Sequence, residues 1–361
     1  MAIKVFCTGT TGYIGGDALF AIVHAHPEWE ITCLARSPEK GALITGSYPK
    51  IRIVYGDLDS VDLLEEEAKS ASIVFHFADC DHEPSALALA RGLSQHTPES
   101  PGYWIHTSGT GILTYPDFPN NLFGQESHET FDDWDNIDKV LSIPDHARHR
   151  LVDKTVIKAG SALADRVKTA IICPPTIYGP GRGPGKTRGA QAYNLAREIL
   201  RLKQGFLIGR GENMWTQVHV FDLSQLYLML GEHAAQGGGR ASWGIHGYYF
   251  ANNGEFAWGD VARAITQDAY SKRLIPSPTL KSLTRTLDAQ RTALAPSPHL
   301  EALSPLEEDK ISPFLHYVAG SNSRSRAVRA TELLGWVPRE KTLIEEVPAI
   351  VDYEAKSLGL V

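Results

Sequence analysis

Residues 4–16 read KVFCTGTTGYIGG, and the fold turns on this stretch. An apolar, β-favouring run over 4–7 passes into Gly9, Gly12 and Gly15, then into a helical pattern from Asp17 to Val23. A glycine-rich turn between strand and helix lets a phosphate approach the backbone, where unpaired N–H groups and the helix dipole favour negative charge. Gly9 permits the tight exit from the strand, Gly12 leaves room for a pyrophosphate, and Gly15 lets the helix pack close to the sheet. Turns collect glycine for many reasons. Here the strand before, the helix after and the position at the start of the chain agree on a dinucleotide site.

The rhythm continues outward. Strand patterns fall over 30–35, 52–55, 73–77 and 103–107, with helical patterns over 15–24, 60–69 and 85–93 between them. Such alternation predicts a parallel sheet covered by helices on both faces, with ligand across the carboxyl ends of the strands. Residues 115–145, rich in Asp, Asn and Pro, interrupt it and read equally as a solvated loop or as a lid or pocket wall. A long helix over 146–164 and a strand over 169–172 follow. Beyond them come a helix over 190–203, a strand over 215–220 with a helix over 222–230, a strand over 248–250, and helices over 256–268 and 325–334. Residues 277–313 show no clear period.

The chain has 361 residues, a net charge of −7 and four cysteines. Its length allows two domains or one large one. The charge argues against a nucleic-acid or anionic-membrane partner, and no apolar run is long enough to span a bilayer. No signal peptide precedes the first strand. Cys7, Cys33, Cys80 and Cys173 lack metal-ligand spacing and read as buried, reduced thiols, so the expected location is cytoplasmic and no metal is expected.

With these residues in view the chain resembles the extended short-chain dehydrogenase/reductase family, the NAD(P)-dependent epimerase/dehydratase type. TGTTGYIGG is similar to its TGxxGxxG fingerprint and GDL at 56–58 to its adenine-contacting loop. PPTIYGPG at 174–181 resembles the segment bridging its two domains, VHVFDLSQL at 218–226 a later signature and LGWVP at 334–338 its C-terminal one. The resemblance implies a Rossmann-type α/β fold, a doubly wound parallel sheet with a smaller, discontinuous α/β substrate domain. The cofactor domain would comprise 1–175 and about 215–254, the substrate domain about 176–214 and 255–361. It implies cofactor contacts from Gly9, Thr11, Gly12, Tyr13, Ile14 and Gly15, from Asp57 to the adenine amino group, and from Leu58, Ala78 and Pro174. It also implies a homodimer and a small-molecule substrate.

The residue after the second strand sets the cofactor form. An acidic side chain there would favour NAD(H). The chain has Arg36, then Ser37 and Lys40, and a guanidinium pairs with a 2′-phosphate. A solvated arginine at a strand end is common, but the placement favours NADP(H).

The family's acid–base centre combines a serine or threonine with a tyrosine and a lysine four residues later. TSGTG supplies Ser108, expected to hydrogen-bond a substrate oxygen. The nearest register for the Tyr-x-x-x-Lys pair is RLVDK, which puts Lys154 at the lysine, as a nicotinamide-ribose contact, and Arg150 at the tyrosine. A guanidinium does not deprotonate at working pH and cannot replace a phenol as proton donor. Arg150 is then an oxyanion or anion clamp. His146, Arg150 and Lys154 share one helical face, and His149 with Asp153 forms a second pair. His149 or Tyr178 is the expected acid/base, against the plain alternatives of solvated helix and packed core.

Three functions follow. The first is an NADP(H)-dependent oxidoreductase on a small carbonyl or hydroxyl substrate. The second is redox-neutral isomerase, epimerase or lyase chemistry with the cofactor bound, and the third a catalytically inactive NADP-sensing protein.

Overall fold

The computed structural model describes residues 2–284, 300, 301, 303 and 311–361. The opening segment forms β1 (Lys4–Thr8) and α1 (Tyr13–Ala25). The alternation continues through β2 (Glu30–Ala35), α2 (Pro38–Ser47), β3 (Arg52–Tyr55), α3 (Val61–Ser70), β4 (Ile73–His76), α4 (Glu83–Leu93) and β5 (Gly102–Thr107). A 7-stranded sheet runs β3-β2-β1-β4-β5, then Val167–Cys173 and Tyr248–Phe250, with every neighbour parallel. The strand order reverses between β1 and β4. Their carboxyl ends therefore open the crevice in which an α/β sheet binds ligand.

Side chains alternate across the sheet. Val5 and Cys7 pack with Leu19 and Ile22 of α1 and with Leu223 and Leu226 of the helix Val220–Ala235. Phe6 and Val74 pack on the other face with Leu64, Leu89 and, from the helix Arg150–Ala162, Val152 and Val156. A third cluster joins the helices Gln191–Leu202, Trp258–Ser271 and Leu343–Ser357. The last has a capping box, Thr342 with Glu345, a signal left unread in the sequence.

The strand expected over 215–220 forms as Met214–His219. It belongs to a 3-stranded sheet with Thr176–Tyr178 and Glu255–Ala257, not to the large one. Within 325–334 only Arg329–Leu334 is helical, because Ser325–Arg326 pairs as a strand with Phe131–Asp132. Of the aperiodic 277–313, Leu280–Leu283 pairs with Gly205–Ile208, and most of the remainder lies outside the described residues.

Residues 115–145 line neither of the two cavities described below. The buried Asp133 carboxylate accepts the N–H groups of Phe250 (2.8 Å), Val328 (2.9 Å) and Arg329 (2.9 Å), tying the segment to two distant parts of the chain. Burial still lifts its pKa to about 6.

A second tie closes over α1. Asp17, fully buried, accepts from Arg182 N (2.8 Å), Nε (3.0 Å) and Nη2 (2.6 Å) and from Ser224 Oγ (2.6 Å). Gly183 lies so close that a Cβ there would sit 2.4 Å from Gly16 C. Lys186 N donates to Thr11 O at 3.0 Å. The loop after Tyr178 is thus fastened across the glycine-rich turn.

Candidate active site

Two cavities meet at the crevice. One, of about 340 Å³, is lined by Gly9, Thr11, Gly12, Arg36, Lys40, Asp57, Leu58 and Ala78, with Leu34, Ala35, Phe77, Asp79 and Lys186. The backbone forms its floor. Gly9 has φ +74°, and a Cβ there would stand 2.6 Å from Ala78 N, while one on Gly15 would stand 2.6 Å from Gly9 O. Side chains at these positions would collide with neighbouring backbone, so the glycines let the turn close tightly against the end of the adjacent strand. Arg36 and Lys40 bring positive charge to one end. A nicotinamide dinucleotide fits these residues.

The second cavity, of about 430 Å³, is the cleft proper. Gly12, Tyr13, Ile14, Phe77 and Pro174 line its inner side, and Ser108, Gly109, Gly111, Arg148 and His149 its reactive side. Trp215, Phe314, Tyr317 and Val318 supply an apolar wall. Gly12, Phe77 and Lys186 border both cavities.

His149 occupies the left-handed region, φ 66°, immediately before the helix Arg150–Ala162. Such backbone strain in a non-glycine residue collects at functional sites. Its Nδ1 lies 2.7 Å from Asp81 Oδ1 and 3.2 Å from Cys80 Sγ. A carboxylate only accepts, so Nδ1 carries the proton and Nε2 faces the opposite way. A Cβ on Gly109 or on Gly111 would stand 3.2 Å from Nε2, so these glycines clear the approach to it. Burial works against the imidazolium, but the hydrogen bonds and charges of Asp81 and Cys80 outweigh it and raise the pKa to about 10. Cys80, Asp81 and His149 are a potential metal-ligand trio among the described residues, but the short N···O contact is a hydrogen bond that needs no ion.

One turn further along the same face is Asp153, fully buried. Its Oδ2 accepts from Ser108 Oγ at 3.0 Å and from Tyr248 OH at 3.1 Å. Burial raises its pKa to about 6, against the lowering influence of His149 and these donors.

No protein-family model matches the chain. Oxidase ucsJ of Acremonium sp. is 37% identical over 367 residues, covering 100% of both proteins. The dTDP-glucose 4,6-dehydratase of Bacillus anthracis, solved in complex with NAD, superposes with a TM-score of 0.65 at 14% identity, over 98% of this chain and 97% of that one. The UDP-glucose 4-epimerase of Thermotoga maritima, solved with UDP-glucose, superposes with a TM-score of 0.62 at 14% identity, over 99% of this chain and 100% of that one. The chain belongs to the extended short-chain dehydrogenase/reductase family.

For this extended short-chain dehydrogenase/reductase the structure corrects part of the expected site. Lys154 borders neither cavity. Its Nζ pairs with both Asp145 carboxylate oxygens, at 2.8 and 2.9 Å, on the exposed face of the helix. Arg150 is buried and donates through Nη2 to Leu141 O, which removes it from the cleft as an anion clamp. Tyr178 is fully buried and donates to Lys341 O at 2.6 Å, the plain core alternative. Gly15 packs beneath the turn, whereas Tyr13 reaches Gly179 O at 2.6 Å. Ser108 and His149 remain in the cleft. Cys80 is half-buried beside His149, unlike the other three cysteines, which are buried; all four are free.

His149 therefore lines the cleft with Asp153 buried behind Ser108, in place of the expected 150/154 face. The helix begins at Arg150 and not at 146, and its buried stripe carries Val152, Asp153, Val156 and Gly160. That spacing was readable as a signal: Val152, Val156 and Gly160 recur every four residues, whereas Lys154 and Lys158 mark the exposed stripe. Asp81, Cys80, Arg148 and Tyr248 were missed, since no motif marks them.

Proposed function

We propose that this chain is an NADP(H)-dependent oxidoreductase acting on a small carbonyl or hydroxyl substrate, with His149 as the acid/base in place of the family's phenol. One observation carries this: a half-buried imidazole faces the cleft through Nε2 while Asp81 holds Nδ1 at 2.7 Å. Arg36 at the mouth of the smaller cavity supports the phosphorylated form of the cofactor.

Bound NADPH supplies a hydride equivalent. The chain positions the substrate and handles one proton. In reduction, His149 Nε2–H gives its proton to the substrate oxygen as that oxygen gains charge. Asp81 fixes the tautomer and stabilises the imidazolium that must be present beforehand. In oxidation the neutral imidazole takes the hydroxyl proton, which requires a pH high enough to empty Nε2. Ser108 has one proton and gives it to Asp153. Above the Asp153 pKa of about 6, Ser108 can only accept from the substrate, so it orients a hydroxyl group. Lys186, bordering both cavities beside Gly12, supplies positive charge for a diphosphate.

The test is His149→Phe, assayed for NADPH consumption with a carbonyl panel and for NADP reduction with the matching alcohols. Loss of about 100-fold or more in turnover, with NADPH affinity unchanged by fluorescence titration, supports the assignment. Full turnover in the variant refutes it. Substrate conversion with no change in nicotinamide absorbance would instead favour redox-neutral chemistry.

A further inference from the structure

We propose that Arg148 selects the substrate and that the substrate carries a carboxylate on a flat, apolar body. This rests on the function proposed above in placing the substrate in the same cleft. Among the described residues none that lines that cleft is an aspartate or glutamate, yet Arg148, Lys186 and Arg188 all line it. The three cations differ in what already holds them. Arg188 donates through Nε to the buried Glu354 and through Nη1 to Gly189 O (3.1 Å), so its charge is answered within the protein. Lys186 also borders the smaller cavity and is shared between the two sites. Arg148 has no ion pair with any described carboxylate. Its guanidinium lies 4.9 Å from the centre of the Tyr317 ring.

That platform is fixed. The Tyr317 hydroxyl is hydrogen-bonded to Thr114 Oγ1 at 2.6 Å and to Gly111 O at 3.0 Å. A guanidinium held over an aromatic ring can still present N–H donors to a planar oxyanion, which it binds through two parallel hydrogen bonds. Holding it there in advance lowers the ordering cost of binding.

Arg148, His149 and Tyr317 converge on one empty position. A Cβ on Gly111 would stand 3.2 Å from His149 Nε2, 3.6 Å from Tyr317 OH and 3.8 Å from Arg148 Cδ. The proton donor and the stem of Arg148 therefore border the same small volume, which puts a substrate held by the guanidinium within reach of His149. Phe314, Val318 and Trp215 receive the rest of the molecule.

The test uses benzoylformate and its neutral methyl ester as probes, titrated by calorimetry into the NADP-loaded protein. The wild type should bind the acid about tenfold or more tightly than the ester. Arg148→Met should bring the two within about threefold, and Arg148→Lys should keep part of the preference, since an ammonium lacks the fork. Unchanged NADP affinity in each variant confirms that it is folded. The inference is overturned if the ester binds as well as the acid, if Arg148→Met keeps the preference, or if benzoylformate does not bind. It fails separately from the proposed function, which is judged by the turnover of His149→Phe and by the nicotinamide absorbance.

Discussion

Ser108 Oγ donates its only proton to Asp153 Oδ2, 3.0 Å away and 45 residues later in the chain. The contact orients the serine and leaves its lone pairs to the cleft. It also buries a carboxylate whose pKa is lifted to about 6, above the value of about 3.9 it has in an unfolded chain. A group whose folded pKa is raised favours the native state at low pH and loses that contribution as pH rises through the folded value. Asp153→Asn should therefore gain stability relative to wild type between pH 4 and pH 7.5, by up to about 3 kcal/mol. Denaturant titrations at several pH values measure it; a difference independent of pH would show that Asp153 is not held as described.

Asp81 and His149 set the pH range of proton transfer. Reduction needs the imidazolium, so the wild-type rate should fall only as pH rises through about 10. Asp81→Asn removes the main raising influence and leaves burial largely unopposed. The descending limb should then move to lower pH by about two units or more. A pH–rate profile for NADPH-linked reduction reads the shift, and an unmoved limb would remove Asp81 from the relay.

Lys154 provides the control for the helical register. Lys154→Met breaks only an exposed pair with Asp145 and should change kcat/KM by less than about threefold. A loss of about 100-fold would restore the lysine of the 150/154 register to the active site.

Arg36 should govern the cofactor form. Arg36→Ser removes a charge-assisted contact to a 2′-phosphate and should weaken NADPH by about tenfold to a hundredfold while leaving NADH within about twofold. Fluorescence titrations with both dinucleotides compare the two. Equal weakening of both would mean that Arg36 serves the cavity in some other way.

The sequence alone determined what contiguous residues encode. Gly9, Gly12 and Gly15 specify a strand–turn–helix unit because the backbone there must turn tightly and pack closely, and only glycine permits both. Arg36 and Ser108 were legible for a similar reason, since each sits at the end of a strand whose pattern is local. Tertiary structure decided which side of the helix after His149 meets the cleft. Asp153 is drawn inward by Ser108 and by Tyr248, 95 residues away, and His149 is oriented by Asp81, 68 residues before it. A helix carries polar residues at every angle, and its own period does not say which of two adjacent faces will be covered. Partners brought in by the parallel sheet made that choice, turning Lys154 to solvent and His149 to the cleft.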